Sequence, residues 1–166
     1  MTKQRVYGCH ETARMQELDG VELASFQARA VALFVDFAIA GALFLAAGFG
    51  AVQLLNRYTS LGKSKEHFNV ELNFFHNWYS VLYLVIFFGL SLYIGNGQTI
   101  GKRLMGIRAV SLVHHRMSLW HSIERALGYG ASALEFGFGF LQYFIHPNRR
   151  TVHDRIAETI VVKDKR

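Results

Sequence analysis

Apolar positions in this chain gather into long runs instead of recurring with a soluble helix or strand period. The first run opens at Phe26 and continues to about Leu55, with Asp36 the only charged residue between Ala30 and Leu55. A stretch this long and this apolar predicts a membrane-spanning helix. A second run, about Trp78 to Ile94, carries no charge and has Trp78, Tyr79 and Tyr93 at its ends, the pattern of interfacial anchors. A third, about Ile123 to Ile145, is interrupted by Glu124, Arg125 and Glu135 and by several glycines, and Pro147 follows it. It reads as a broken, re-entrant or interfacial helical hairpin, with a third full crossing as the alternative. Gly137-Phe138-Gly139-Phe140 is the expected breaking point.

Between and after the runs the chain is polar. Residues 1–24 read as a cytoplasmic tail with one short helix near Glu11–Leu18, because Val6, Met15, Leu18 and Leu23 are too sparse to build a core. Cys9-His10 is too small a set to predict a metal site. Asn56 to His76 forms a nearly neutral connection. The segment after the second run is punctuated by glycine. Within it, Ile107–Val113 has strand character, and Thr159-Ile160-Val161-Val162 near the C-terminus is its expected partner. The predicted fold is therefore all-α and membrane-embedded: two transmembrane helices, a third segment that breaks or spans, and a small cytoplasmic β-hairpin-like element.

Charge sets the orientation. Positions 96–122 hold Lys102, Arg103, Arg108 and Arg116 and no acid, which places that loop in the cytoplasm. Two crossings then put the N-terminus on the same side, and residues 56–76 outside. Strand pairing with the C-terminal tail requires that tail to be cytoplasmic as well. The formal charge of +6 is explained by cytoplasmic loops and anionic lipid, with Lys102, Arg103 and Arg108 as the headgroup contacts, and nucleic acid is not an expected partner. Just over half of the 166 residues are hydrophobic, including 14 Phe and 7 Tyr, which fits one membrane domain. The single cysteine excludes an internal disulfide and any cysteine-built zinc site. No Ser-His-Asp set and no phosphate loop is present, and His114, His115 and His121 read as solvated or interfacial. Neither an enzyme nor a cofactor is expected.

Chemistry centres on the acids. A carboxylate inside a spanning helix costs roughly 3 kcal/mol on insertion scales, so Asp36 must find a partner. Arg29 lies seven residues earlier on nearly the same helix face, about 10.5 Å away along the axis, too far for direct contact. Arg125 is the candidate cation for Asp36, with Tyr83 or Ser80 as hydrogen-bond donors. Asp154 is placed to pair with Arg29, to cap a short helix or to hold Arg103. Glu135 is a further acid in apolar surroundings that could form a relay with Asp36. Two uses remain open: exchange of a proton or cation at Asp36, or ion pairs that only fix how helices dock. Small residues at Ala38, Ala42, Ala46 and Gly50 would admit a close helix neighbour, from this chain, from a second copy or from a larger membrane complex.

These residues resemble the RDD family of small bacterial membrane proteins, named for an arginine and two aspartates. Arg29 and Asp36 in the first run and Asp154 in His153-Asp154-Arg155 fit that pattern, and Gly97-Gln98-Thr99-Ile100-Gly101-Lys102-Arg103-Leu104-Met105-Gly106-Ile107-Arg108 resembles the family's loop motif. The resemblance spans about 25–166 and implies a multi-pass protein of the bacterial inner membrane. It further implies transport of an unknown ligand, with cation/proton antiport for some members, or an accessory place in a larger assembly. One departure is Glu158, which stands where the family usually has glycine before its final strand.

Overall fold

A computed structural model describes residues 13–61, 78–134 and 138–164. Its elements are α1 (Ala13–Glu17), α2 (Phe26–Leu61), α3 (Trp78–Ile94), α4 (Ile100–Leu104), β1 (Ile107–Ser111), α5 (Leu119–Leu134), α6 (Phe138–Ile145), α7 (Val152–Ile156) and β2 (Thr159–Lys163). The second apolar run is α3 with the expected ends. The first forms one 36-residue helix, longer than the run itself. The third divides into α5 and α6, separated by residues 135–137. Glu135 and Gly137 lie outside the described residues, as do Cys9, His10 and most of the polar connection.

β1 and β2 pair antiparallel from Ile107↔Lys163 to Ser111↔Thr159, as the strand patterns predict. The segment between them therefore leaves the sheet and returns to it. Residues 22–24 add to the outer edge of β2: Leu23 bridges Val162, and the Ala24 N–H donates to the Val161 carbonyl at 2.9 Å. This corrects the reading of the N-terminal lead as coreless. Leu18 and Leu23 are buried with Leu112, Ile160 and Val162, and Met15 packs on that cluster. Few apolar residues suffice there because β2 and the end of β1 with Leu112 supply the rest of the cluster. On the other side of the sheet, Val161 joins Ala24, Ala32, Leu92, Ile107 and Met117.

α3 ends where Asn96 and Gly97 take positive φ (46° and 88°), and the Gly97 N–H donates to the Leu92 carbonyl at 2.7 Å, a helix-terminating bond. The chain then re-enters a helix at Thr99, the N-cap of α4, whose hydroxyl accepts from the Lys102 N–H. α5 packs along α3, with Gly89 set against Ile123, and Phe88, Ala126 and Tyr129 form the core between them. Ala38, Ala42, Ala46 and Gly50 are exposed, so among the described residues the small ridge of α2 is not used for packing within the chain.

Glu158 itself adopts φ of 45°, the left-handed region that glycine tolerates at no steric cost. The Glu158 carbonyl accepts from the Leu112 N–H at 2.9 Å, so the turn is tied to the end of β1. Glu158→Gly is expected to raise stability by about 1 kcal/mol. Thermal unfolding in mild detergent checks this, and an unchanged or lower midpoint would contradict it.

Candidate functional site

Two carboxylates organise the region where α2 meets the sheet. Asp36, 1% exposed, faces the start of α4. Its Oδ2 accepts from the Thr99 hydroxyl, and its Oδ1 accepts from the Gly101 N–H at 2.8 Å. Thr99 thus donates to Asp36 while accepting from Lys102, so one hydroxyl joins the α2 acid to the first turn of α4. Gly101 permits the approach, because a Cβ there would lie 2.1 Å from the Ala32 carbonyl oxygen and 3.0 Å from the Asp36 carboxylate carbon. The partner of Asp36 is therefore a hydroxyl and a backbone amide, not Arg125. Tyr83 donates instead to the Ala40 carbonyl at 2.9 Å, one turn deeper along α2.

Asp154, fully buried on α7, takes the cations. Arg29 Nη1 meets its Oδ2 at 2.7 Å and Arg125 Nη2 meets its Oδ1 at 2.6 Å. The Thr151 N–H donates to Oδ2 at 3.1 Å, so the same carboxylate caps α7. Arg29 Nη2 also donates to the Val161 carbonyl at 3.1 Å, and Arg125 Nη1 donates to the Thr159 hydroxyl. One acid thereby ties α2, α5, α7 and β2 together. The two guanidinium groups hold the Asp154 carboxyl well below the usual carboxylate range, against the opposing effect of burial. Of the expected roles, pairing with Arg29 and capping are both present, while Arg103 is not the partner.

His153 sits beside this acid, with its Nε2 2.9 Å from the Thr151 hydroxyl and its ring 4.5 Å from that of Tyr129. Burial pushes its pKa down to about 3, outweighing the attraction of Asp154, so the ring is neutral at ordinary pH.

The basic loop residues separate. Lys102 is 5% exposed and points inward, its Nζ 3.4 Å from the Tyr129 hydroxyl and 6.0 Å from that ring's centre. The expected headgroup contact is thus enclosed rather than open on the loop: α4 is so short and so closely docked that its third residue, Lys102, faces the interior. Arg108 is half-buried and pairs with Asp164 at 3.2 Å, and Gln98 donates to the same carboxylate at 2.6 Å. Arg103 alone of the three is exposed.

Arg29, Lys102, Arg125 and His153 also line one cavity of about 690 Å³, with Leu33, Phe37 and Phe140 among its apolar walls. Sequence patterning did not single out Tyr143. Its hydroxyl donates to the Ala24 carbonyl and accepts from Arg149, while the Arg29 guanidinium stacks 5.0 Å from its ring centre. His114 and His121 lie with ring centres 5.2 Å apart and nearly perpendicular, and His121 shares a hydrogen bond with Ser118.

The arrangement is that of a helical protein whose one long apolar helix is locked to a small sheet by buried acid contacts. The chain belongs to the RDD family: the family model matches residues 23–158, a span that includes Arg29, Asp36 and Asp154. Neither the curated proteins nor the solved structures gave a match.

Proposed function

We propose that this chain is a small integral membrane protein of the bacterial inner membrane, and that it serves as a non-enzymatic accessory module whose acids dock its parts. α2 spans about 54 Å at 1.5 Å per residue, well beyond a hydrocarbon core of about 30 Å. Only 17% of its most apolar stretch is buried, as suits a helix facing lipid rather than a soluble core. α3 is the second crossing, shorter at 17 residues but apolar throughout. α5 and α6 form a hairpin that enters and returns, a reading supported by the adjacency of β1 and β2. The acid-free loop supports a cytoplasmic position for α4, the sheet and both termini. Partners are copies of this chain or a larger membrane complex, met through the exposed ridge of α2.

The single observation carrying the accessory reading is the state of Asp36. Both its oxygens are spent on α4, in a site closed to the surroundings. A carrier acid must exchange its cation or proton with an aqueous path, and this one would have to release the loop to do so. The competing reading, cation–proton exchange at Asp36, is favoured by the depth of that acid in an apolar helix. A flux assay in proteoliposomes, with wild type and Asp36→Asn under imposed Na⁺ and proton gradients, separates the two. Equal, background-level flux in both is expected. Flux in wild type that Asp36→Asn abolishes would overturn the accessory reading.

A further inference from the structure

The cavity beside the acids has polar and apolar parts in a definite order. Among the described residues its lining holds three cationic side chains, Arg29, Lys102 and Arg125, and no carboxylate. Both neighbouring acids are turned to other work, Asp154 onto the two guanidinium groups and the Thr151 amide, Asp36 onto Thr99 and Gly101. Lys102 is the distinctive member. An ammonium has three donors, yet among the described residues it meets one phenol at 3.4 Å and no carboxylate within 4 Å. A buried ammonium so thinly satisfied is costly unless an anion reaches it.

The apolar part runs on from Arg29 along α2. Arg29, Leu33 and Phe37 succeed one another every four residues on α2, so Leu33 and Phe37 stand about 6 and 12 Å further along the axis than the guanidinium-bearing residue. Across from them are Phe140 and Leu141 of α6. At the outer edge Phe34 is 76% exposed, in the band that a bilayer would cover. The volume, about 690 Å³, is in the range of sites that hold small molecules.

We propose that this cavity binds one anionic phospholipid. Its phosphate lies between Lys102 and the outer edges of the Arg29 and Arg125 guanidinium groups, and one acyl chain lies along Leu33, Phe37 and Phe140. Along α2 the cationic Arg29 comes first and the apolar Leu33 and Phe37 follow, the order in which a cytoplasmic-leaflet lipid presents its headgroup and chains. A free phosphate would use the charged floor but leave the aromatic wall unexplained. The proposal rests on the reading that α2 crosses a bilayer. That reading fails separately, since a chain outside the bilayer would be released from membranes by alkaline carbonate.

Native mass spectrometry of the full chain, released from detergent with added lipid, tests it. The probes are palmitoyl-oleoyl phosphatidylglycerol, phosphatidylcholine with the same chains, and inorganic phosphate. One phosphatidylglycerol adduct per chain is expected, at least roughly tenfold tighter than phosphatidylcholine. Lys102→Gln should weaken it by a similar factor, and Arg116→Gln, an exposed cation outside the cavity, should leave it intact. Ala30→Trp, at an exposed lining position, should block the adduct while keeping every charge, and it carries the test if Lys102→Gln does not fold. Equal binding of the two lipids would overturn the proposal, as would inorganic phosphate competing at the same concentration as phosphatidylglycerol, or an adduct that survives Ala30→Trp.

Discussion

Asp154→Asn is expected to unfold the protein or leave it barely folded. The substitution is nearly isosteric, so packing is not what fails. It strips the counter-charge from Arg29 and Arg125, which are then buried with no carboxylate between them. Removing one partner of a buried ion pair typically costs about 3–5 kcal/mol, because the desolvation of the survivor is no longer offset. Here two cations are stranded by one change, and the α7 cap weakens with them. The expected readout is loss of the monodisperse peak in size-exclusion chromatography, or a fall in thermal midpoint much larger than that of Arg103→Gln. Arg29→Met in the same background should recover part of the loss, since one stranded cation is removed. A stable Asp154→Asn protein would show that the triad contributes little.

Acidification should destabilise the protein well before its carboxylates titrate. His153 is held neutral with a pKa of about 3, whereas an unfolded histidine titrates near 6.5. Below pH 6.5 the unfolded chain binds a proton that the folded chain refuses, so stability falls as pH falls. At about 1.4 kcal/mol per unit, the ceiling is roughly 3 kcal/mol between pH 6.5 and 4. Asp154 acts in the same direction but later. Its folded pKa is depressed, so its contribution is intact above the ordinary carboxylate range and is lost only as pH drops below it. Unfolding midpoints measured in detergent from pH 7.5 to 4.5 should therefore slope downward from about 6.5, and His153→Gln should flatten that slope. A profile that stays flat to pH 5 in wild type would contradict the neutral, buried ring.

How far the sequence revealed this site depends on the kind of contact. Arg29 with Asp154 and the pairing of β1 with β2 were legible, because unlike charges and alternating β-branched residues each specify a partner type. The partners of Asp36 were not. A hydroxyl and a backbone amide 63 and 65 residues away carry no compositional mark, and a buried acid in an apolar run suggests a cation first. The signal was present in the glycine at position 101, which marks a close backbone approach, and in Thr99 at an N-cap position. The enclosure of Lys102 was hidden for a related reason. Counting charges sorts lysines to the surface, and only the docking of α4 shows that this one is enclosed. Leu18 and Leu23 looked too sparse for a core because their neighbours, Leu112 and the β2 residues Ile160 and Val162, come from far along the chain.

These contacts support a view of the acids as fasteners rather than carriers. The measurement that tests it most directly is a double-mutant cycle between α2 and α4. Thermal unfolding free energies are compared for wild type, Asp36→Ala, Thr99→Val and the pair. A hydrogen bond from a hydroxyl to a buried carboxylate predicts a coupling of about 1.5–3 kcal/mol. Additive effects, with a coupling under about 0.5 kcal/mol, would mean that Asp36 does not hold the loop and would contradict the account.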